Sequence, residues 1–217
     1  MGRDKALKGL LFIASIFFLF FIGRTLVQPI LPLFIISVGA SKMELGMILS
    51  AAFFTSVVTR IPFGILSDRF GRWSFILIGL ASSSLSFILF FFVEEPIHFY
   101  PTVILLFLSW ALFGPSAFAI VSDIGSMRQR GETMGKFFVS VGIALVSGPL
   151  LASLLTLYLP YREVFLLTSI PSLIALLLLI VFKSKGVLME GGSVKDRGVE
   201  VNRPKGSLMR VLHSRNV

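Results

Sequence analysis

Four stretches of this chain carry no charged side chain and run for 19 to 27 residues each: 73–93, 96–122, 137–161 and 164–182. Each is long enough to cross a hydrocarbon core of about 30 Å at about 1.5 Å per residue. The runs are continuous rather than alternating in segments of about ten residues, so they read as helices and not as barrel strands. Hydrophobic residues make up 55% of the 217 and charged residues 14%, whereas an ordinary soluble domain carries about 25% charged residues. The chain is a polytopic membrane protein, which excludes soluble enzymes and soluble binding modules.

Six spans follow, near 9–36, 45–63, 73–93, 101–122, 136–158 and 164–182. They divide the chain into an N-terminus (1–8), an all-α six-helix transmembrane bundle (9–182) and a tail (183–217). The connections 37–44, 94–100 and 159–163 hold Lys42 and Arg162 against Glu44, Glu94, Glu95 and Glu163. The opposite side carries Arg69, Arg72, Arg128, Arg130 and Lys136, with Arg3, Lys5 and Lys8 ahead of the first span. The positive-inside rule puts that basic side, and both termini, in the cytoplasm. Arg3, Lys5 and Lys8 before an apolar run also resemble the start of a signal peptide. No small-residue cleavage site follows and further spans do, so the first helix is read as retained.

The net charge of +9 does not point to nucleic acid, because its placement is that of orientation signals. The tail alone holds eight basic and three acidic residues and is rich in glycine and serine, the composition of a disordered cytoplasmic segment. With no cysteine, and with the two histidines in a loop and in the tail, neither a metal centre nor a cofactor is expected. No histidine and no carboxylate pair lies within a span, so intramembrane hydrolysis has no candidate residues and the chain does not read as an enzyme.

The stretch Gly64-Ile-Leu66-Ser-Asp68-Arg69-Phe-Gly71-Arg72-Trp73 lies between spans 2 and 3. It predicts a tight turn in which the glycines permit positive φ, and in which Asp68 and Arg72 reach each other. A plain basic loop would not account for the embedded acid.

This stretch resembles the signature G-x-L-a-D-r-x-G-r-k of the major facilitator superfamily, which lies in that family's loop between helices 2 and 3. Gly64, Leu66, Asp68, Arg69, Gly71 and Arg72 match, and Trp73 stands where a basic residue is usual. The resemblance implies one six-helix bundle built as a 3+3 inverted repeat, the N-terminal half of a twelve-helix transporter that moves a small solute by alternating access. It implies that Asp123, ending span 4, joins Asp68 and Arg72 in a cluster that latches the cytoplasmic face. Arg130 and Gly135 resemble the family's R-x-x-x-x-G before helix 5.

Two other patterns are matched only in part. Span 5 keeps Gly148-Pro149 of a motif associated with antiporters, with Ala144, Ala152 and Ser153 as small substitutes, which suits a close packing seam as well. In span 4 the positions of the family's arginine and glutamine hold Trp110 and Phe113, so a proton-coupling role for that arginine does not carry over.

Arg24 sits midway along span 1, followed by Gln28, Pro29 and Pro32. An arginine at mid-bilayer is unfavourable by at least about 2.5–3.5 kcal/mol unless it meets a polar cavity or a partner. Facing a cavity, with Gln28 a turn further on, it would favour an anionic solute. Snorkelling to the interface or a bond to a neighbouring carbonyl is the other reading, and the sequence leaves both open. Thr25 and Trp110 are further cavity candidates. Arg60, near the cytoplasmic end of span 2, reads as an interface or gate residue. The serines 82–84 and 86 read as bonding to helix carbonyls.

Six spans are half of the family's twelve. The partners expected are therefore the lipid bilayer, a small solute (anionic where Arg24 faces the cavity), and a second six-helix half supplied by a separate chain or by a second copy. A truncated product, or a six-helix membrane protein that does not transport, is the alternative.

Overall fold

The computed structural model describes residues 2–123 and 130–184. These form six long α-helices: α1 (Gly2–Ser37), α2 (Lys42–Phe70), α3 (Arg72–Phe91), α4 (Phe99–Asp123), α5 (Arg130–Tyr158) and α6 (Tyr161–Ser184), with a short 3-10 turn at Pro96–His98. Each contains a stretch long and apolar enough to cross a membrane. The tail beyond residue 184, expected to be disordered, lies outside the described residues.

The helices run past the predicted spans at several ends. α1 begins at Gly2 rather than near residue 9, because Lys5, Ala6, Leu7 and Lys8 are all good helix formers. α5 begins at Arg130 rather than near 136. α2 starts at Lys42 because Ser41 and Glu44 form a capping box: the Glu44 N–H donates to Ser41 Oγ at 3.2 Å and the Ser41 N–H to Glu44 Oε2 at 2.7 Å. α1 ends just before it at Gly39 (φ 97), where Gly39 N–H donates to Ile36 O and Ala40 N–H to Ile35 O. That paired closure is a Schellman motif, and the positive φ suits glycine. α1 stays helical through Pro29 and Pro32.

α1 packs chiefly on α5 and α6, α3 on α4 and α6, and α2 on α4, while α1 and α4 hardly touch along their backbones. Of the membrane-length windows only 17% of α2 and 22% of α5 is buried, against 50–61% for α1, α3 and α4, so α2 and α5 flank the bundle with broad open faces. Lipid gives no hydrophobic drive for helices to associate, so shape must hold the bundle. Phenylalanines supply much of that shape. One layer stacks Phe34, Phe90, Phe99 and Phe165, and the other joins Phe17, Phe20, Phe113 and Phe137. Of the α3 serines, Ser84 donates to its own helix at Leu80 O and Ser86 reaches Thr102 O on α4, while Ser83 Oγ is buried with no partner among the described residues.

Candidate functional site

Two groups of polar residues stand out from this apolar bundle. The first is at the junction of α2 and α3. The predicted turn is shorter than expected: α2 stays helical through Gly64, Leu66, Asp68 and Arg69, and only Gly71 breaks it. Gly71 alone has the expected positive φ (100), and its N–H closes back on Ser67 O at 3.0 Å. Gly64 is helical instead, because nothing between Ile65 and Phe70 interrupts the helix, and a Cβ added to it would meet nothing within 4 Å.

The one-residue link places Arg72 at the start of α3, a turn from Asp68 and beside the end of α4. Its Nε donates to Asp68 Oδ1 at 2.9 Å and its Nη1 to Asp123 Oδ2 at 2.5 Å. The guanidinium thus bridges α2 to α4 through α3, two charge-assisted bonds on one planar fork. The side chains remain partly open, with Arg72 at 28%, Asp123 at 42% and Asp68 at 61% of full exposure. Leu66 and Arg69 are exposed and stand outside this bridge. Arg130 opens α5, but its side chain lies outside the described residues.

The second group surrounds residues 24 and 25 of α1. Arg24 is half-buried, and its guanidinium carbon lies 5.2 Å from the centre of the Phe107 ring and 5.7 Å from that of Trp110, both on α4. Such stacking favours the cation when desolvated by about 2 kcal/mol or more. Among the described residues no carboxylate pairs with Arg24, and Arg60 of α2 is the one charge near enough to act on it. Trp110 is half-buried, edge-on to Phe21 at 5.3 Å, and Gln28 is exposed. Arg24 and Trp110 therefore meet between α1 and α4, with Gln28 exposed one turn further along α1. Phe107, the second ring, is absent from the sequence-based candidates: one phenylalanine among 23 carries no distinguishing mark.

Thr25 does not belong to that face. It is only 3% exposed and turns to α5, where Oγ1 lies 2.8 Å from Ala144 O and equally close to Phe21 O, so its single proton serves either carbonyl. The next residue on α1 points about 100° away from Arg24, and that rotation decides the difference. Gly148 makes the approach possible: a Cβ there would overlap Thr25 Oγ1 and fall 2.7 Å from Thr25 Cβ and 3.0 Å from the Leu26 nitrogen. Ala144, Gly148 and Ala152 are all buried and form the seam, while Pro149 is exposed on a helix that continues through it.

The chain is similar to known transporters in both sequence and shape. The sequence model of the Major Facilitator Superfamily matches residues 13–216. Multidrug resistance protein 2 of Bacillus subtilis is 30% identical over 132 residues, which are 61% of this chain and 33% of that protein. Inner membrane transport protein YajR of Escherichia coli is 30% identical over 167 residues, 72% of this chain and 35% of that protein. A crystal structure of a peptide transporter, POT (E310Q mutant) in complex with sulfate, superposes with a TM-score of 0.76 at 17% identity, over 95% of this chain and 44% of that one. The chain thus covers between a third and a half of the length of the proteins it matches. Both the stretch that closes on Gly71 and Arg72 and the bundle built around it agree with the match over residues 13–216, and the chain belongs to the Major Facilitator Superfamily.

Proposed function

We propose that this chain forms the N-terminal six-helix half of a secondary transporter of the cell membrane, moving a small solute by alternating access against a second six-helix bundle. The observation that carries the reading is Arg24: a half-buried arginine midway along the α1 span, without a carboxylate partner among the described residues. Lipid does not accept such a group, so that side of α1 borders a water-filled path.

Three features support the larger picture. Helix pairing maps onto itself when α1, α2 and α3 are exchanged for α4, α5 and α6: α1–α5 becomes α4–α2, and α3–α4 becomes α6–α1. This symmetry supports an inverted 3+3 repeat, and the basic side of the sequence supports cytoplasmic termini. The open apolar faces of α2 and α5 offer a second bundle its seat. The Arg72 bridge between Asp68 and Asp123 is a small, breakable contact of the kind that latches one state of a two-state gate. The relatives named for transport and multidrug resistance agree with a small-solute substrate.

The test is the native mass of the tagged chain extracted from membranes in mild detergent, followed by flux in liposomes. An assembly of two six-helix bundles that moves solute is expected. A lone six-helix monomer that moves none would contradict the proposal.

A further inference from the structure

The Arg24 guanidinium carbon lies over the Phe107 and Trp110 rings, yet its N–H donors have no acceptor among the described residues, and no acid lies within the middle of any span. A guanidinium fork matches a carboxylate or a similar planar anion in geometry as well as charge. Arg60 on α2 is a second positive charge within electrostatic reach of Arg24. A cationic solute would meet like charge there, and a neutral one would forgo the charge-assisted bonds that an anion makes with the guanidinium.

The surroundings also select for a flat apolar body. Trp110 is half-buried with Phe21 against its edge, and Phe53 of α2 packs edge-on to Phe107 at 4.6 Å between ring centres. Phe107 and Trp110 thus give the guanidinium aromatic neighbours, each of them packed against a further ring.

We infer that the face between α1 and α4 at Arg24 binds an aromatic organic anion, its carboxylate or equivalent group on the Arg24 fork and its ring against Trp110. The inference deepens the transport proposal and rests on it.

The chain has two tryptophans, so Trp73→Phe leaves Trp110 as the single indole reporter. The full chain carrying this change, in lipid nanodiscs at neutral pH, is titrated with 2-naphthoate and with the cation 2-naphthylmethylammonium. Saturable quenching by the anion, with at least about tenfold weaker response to the cation, is expected. Arg24→Gln should weaken the anion response by about tenfold or more, and Arg24→Lys, which keeps charge but loses the fork, by less. Should Arg24→Gln fail to fold, the Lys variant and the anion–cation comparison still decide. Quenching that is charge-blind, non-saturating or unchanged in Arg24→Gln overturns the inference. The transport proposal stands or falls separately on the mass and flux of the assembly.

Discussion

Thr25 of α1 lies 2.8 Å from the carbonyl of Ala144, 119 residues away on α5, and Gly148 one turn beyond leaves the space that lets it in. Interhelical hydrogen bonds of this kind contribute about 0.6 kcal/mol on average in membranes, so packing carries more of the seam than the bond does. Thr25→Val should therefore lower stability only slightly. Gly148→Ala forces a methyl into the Thr25 side chain and against the Leu26 nitrogen, and should be unfavourable by about 1–3 kcal/mol. Adding Thr25→Ala should restore part of the loss, not all of it, because the Leu26 contact remains. Thermal unfolding of the purified chain in detergent reads all three.

The two glycines of the signature stretch should respond in opposite ways. Gly71→Ala places a side chain at φ 100 and is expected to destabilise by about 1–3 kcal/mol. Gly64 is helical with open space around it, so Gly64→Ala should leave the isolated chain unchanged or more stable by up to about 1 kcal/mol. If a second bundle rests on α2, the same change should reduce flux through the assembly. Parallel melting and flux measurements separate the two effects.

Asp123→Asn removes one arm of the Arg72 bridge. Partly exposed ion pairs contribute about 1 kcal/mol or less, so the melting temperature should hardly move. A gate biased by such a contact responds differently, since a shift of 1.4 kcal/mol changes a two-state population ratio tenfold. In Gln28→Cys protein, which has no other thiol, Asp123→Asn should raise labelling from the cytoplasmic side severalfold with little loss of fold. Equal labelling in both backgrounds would count against a latch.

Orientation is checked with the same chemistry. Cysteines replacing Met43 or Glu163, both exposed at the predicted outer side, should react with an impermeant maleimide in intact cells. One replacing Gly131, exposed at the predicted inner side, should react only after the membrane is opened.

Long apolar runs made six helices legible, because a bilayer imposes one length and one backbone solution. Helix ends were less so. Counting apolar residues stops α2 near residue 63, but no proline or positive φ interrupts the backbone between there and Gly71, and the helix runs on to Phe70. Asp68, Arg72 and Asp123 share one cluster as the family resemblance implied, since the one-residue link leaves Arg72 little choice of neighbours. Thr25 was misplaced because one step of helical rotation separates a cavity face from a packing seam. Phe107 was invisible for a different reason: its role comes from sitting under Arg24, a contact between residues 83 positions apart with no local trace.

Alternating access requires the face of Arg24, Gln28 and Trp110 to open to water from each side of the membrane in turn. Labelling Gln28→Cys protein with an impermeant maleimide, in sealed right-side-out and inside-out vesicles of the cells that make it, tests this most directly. Reaction from both sides, in membranes that remain sealed to the reagent, is the predicted result. No reaction from either side, with full labelling once the protein is unfolded in detergent, would place Gln28 against lipid and contradict the account.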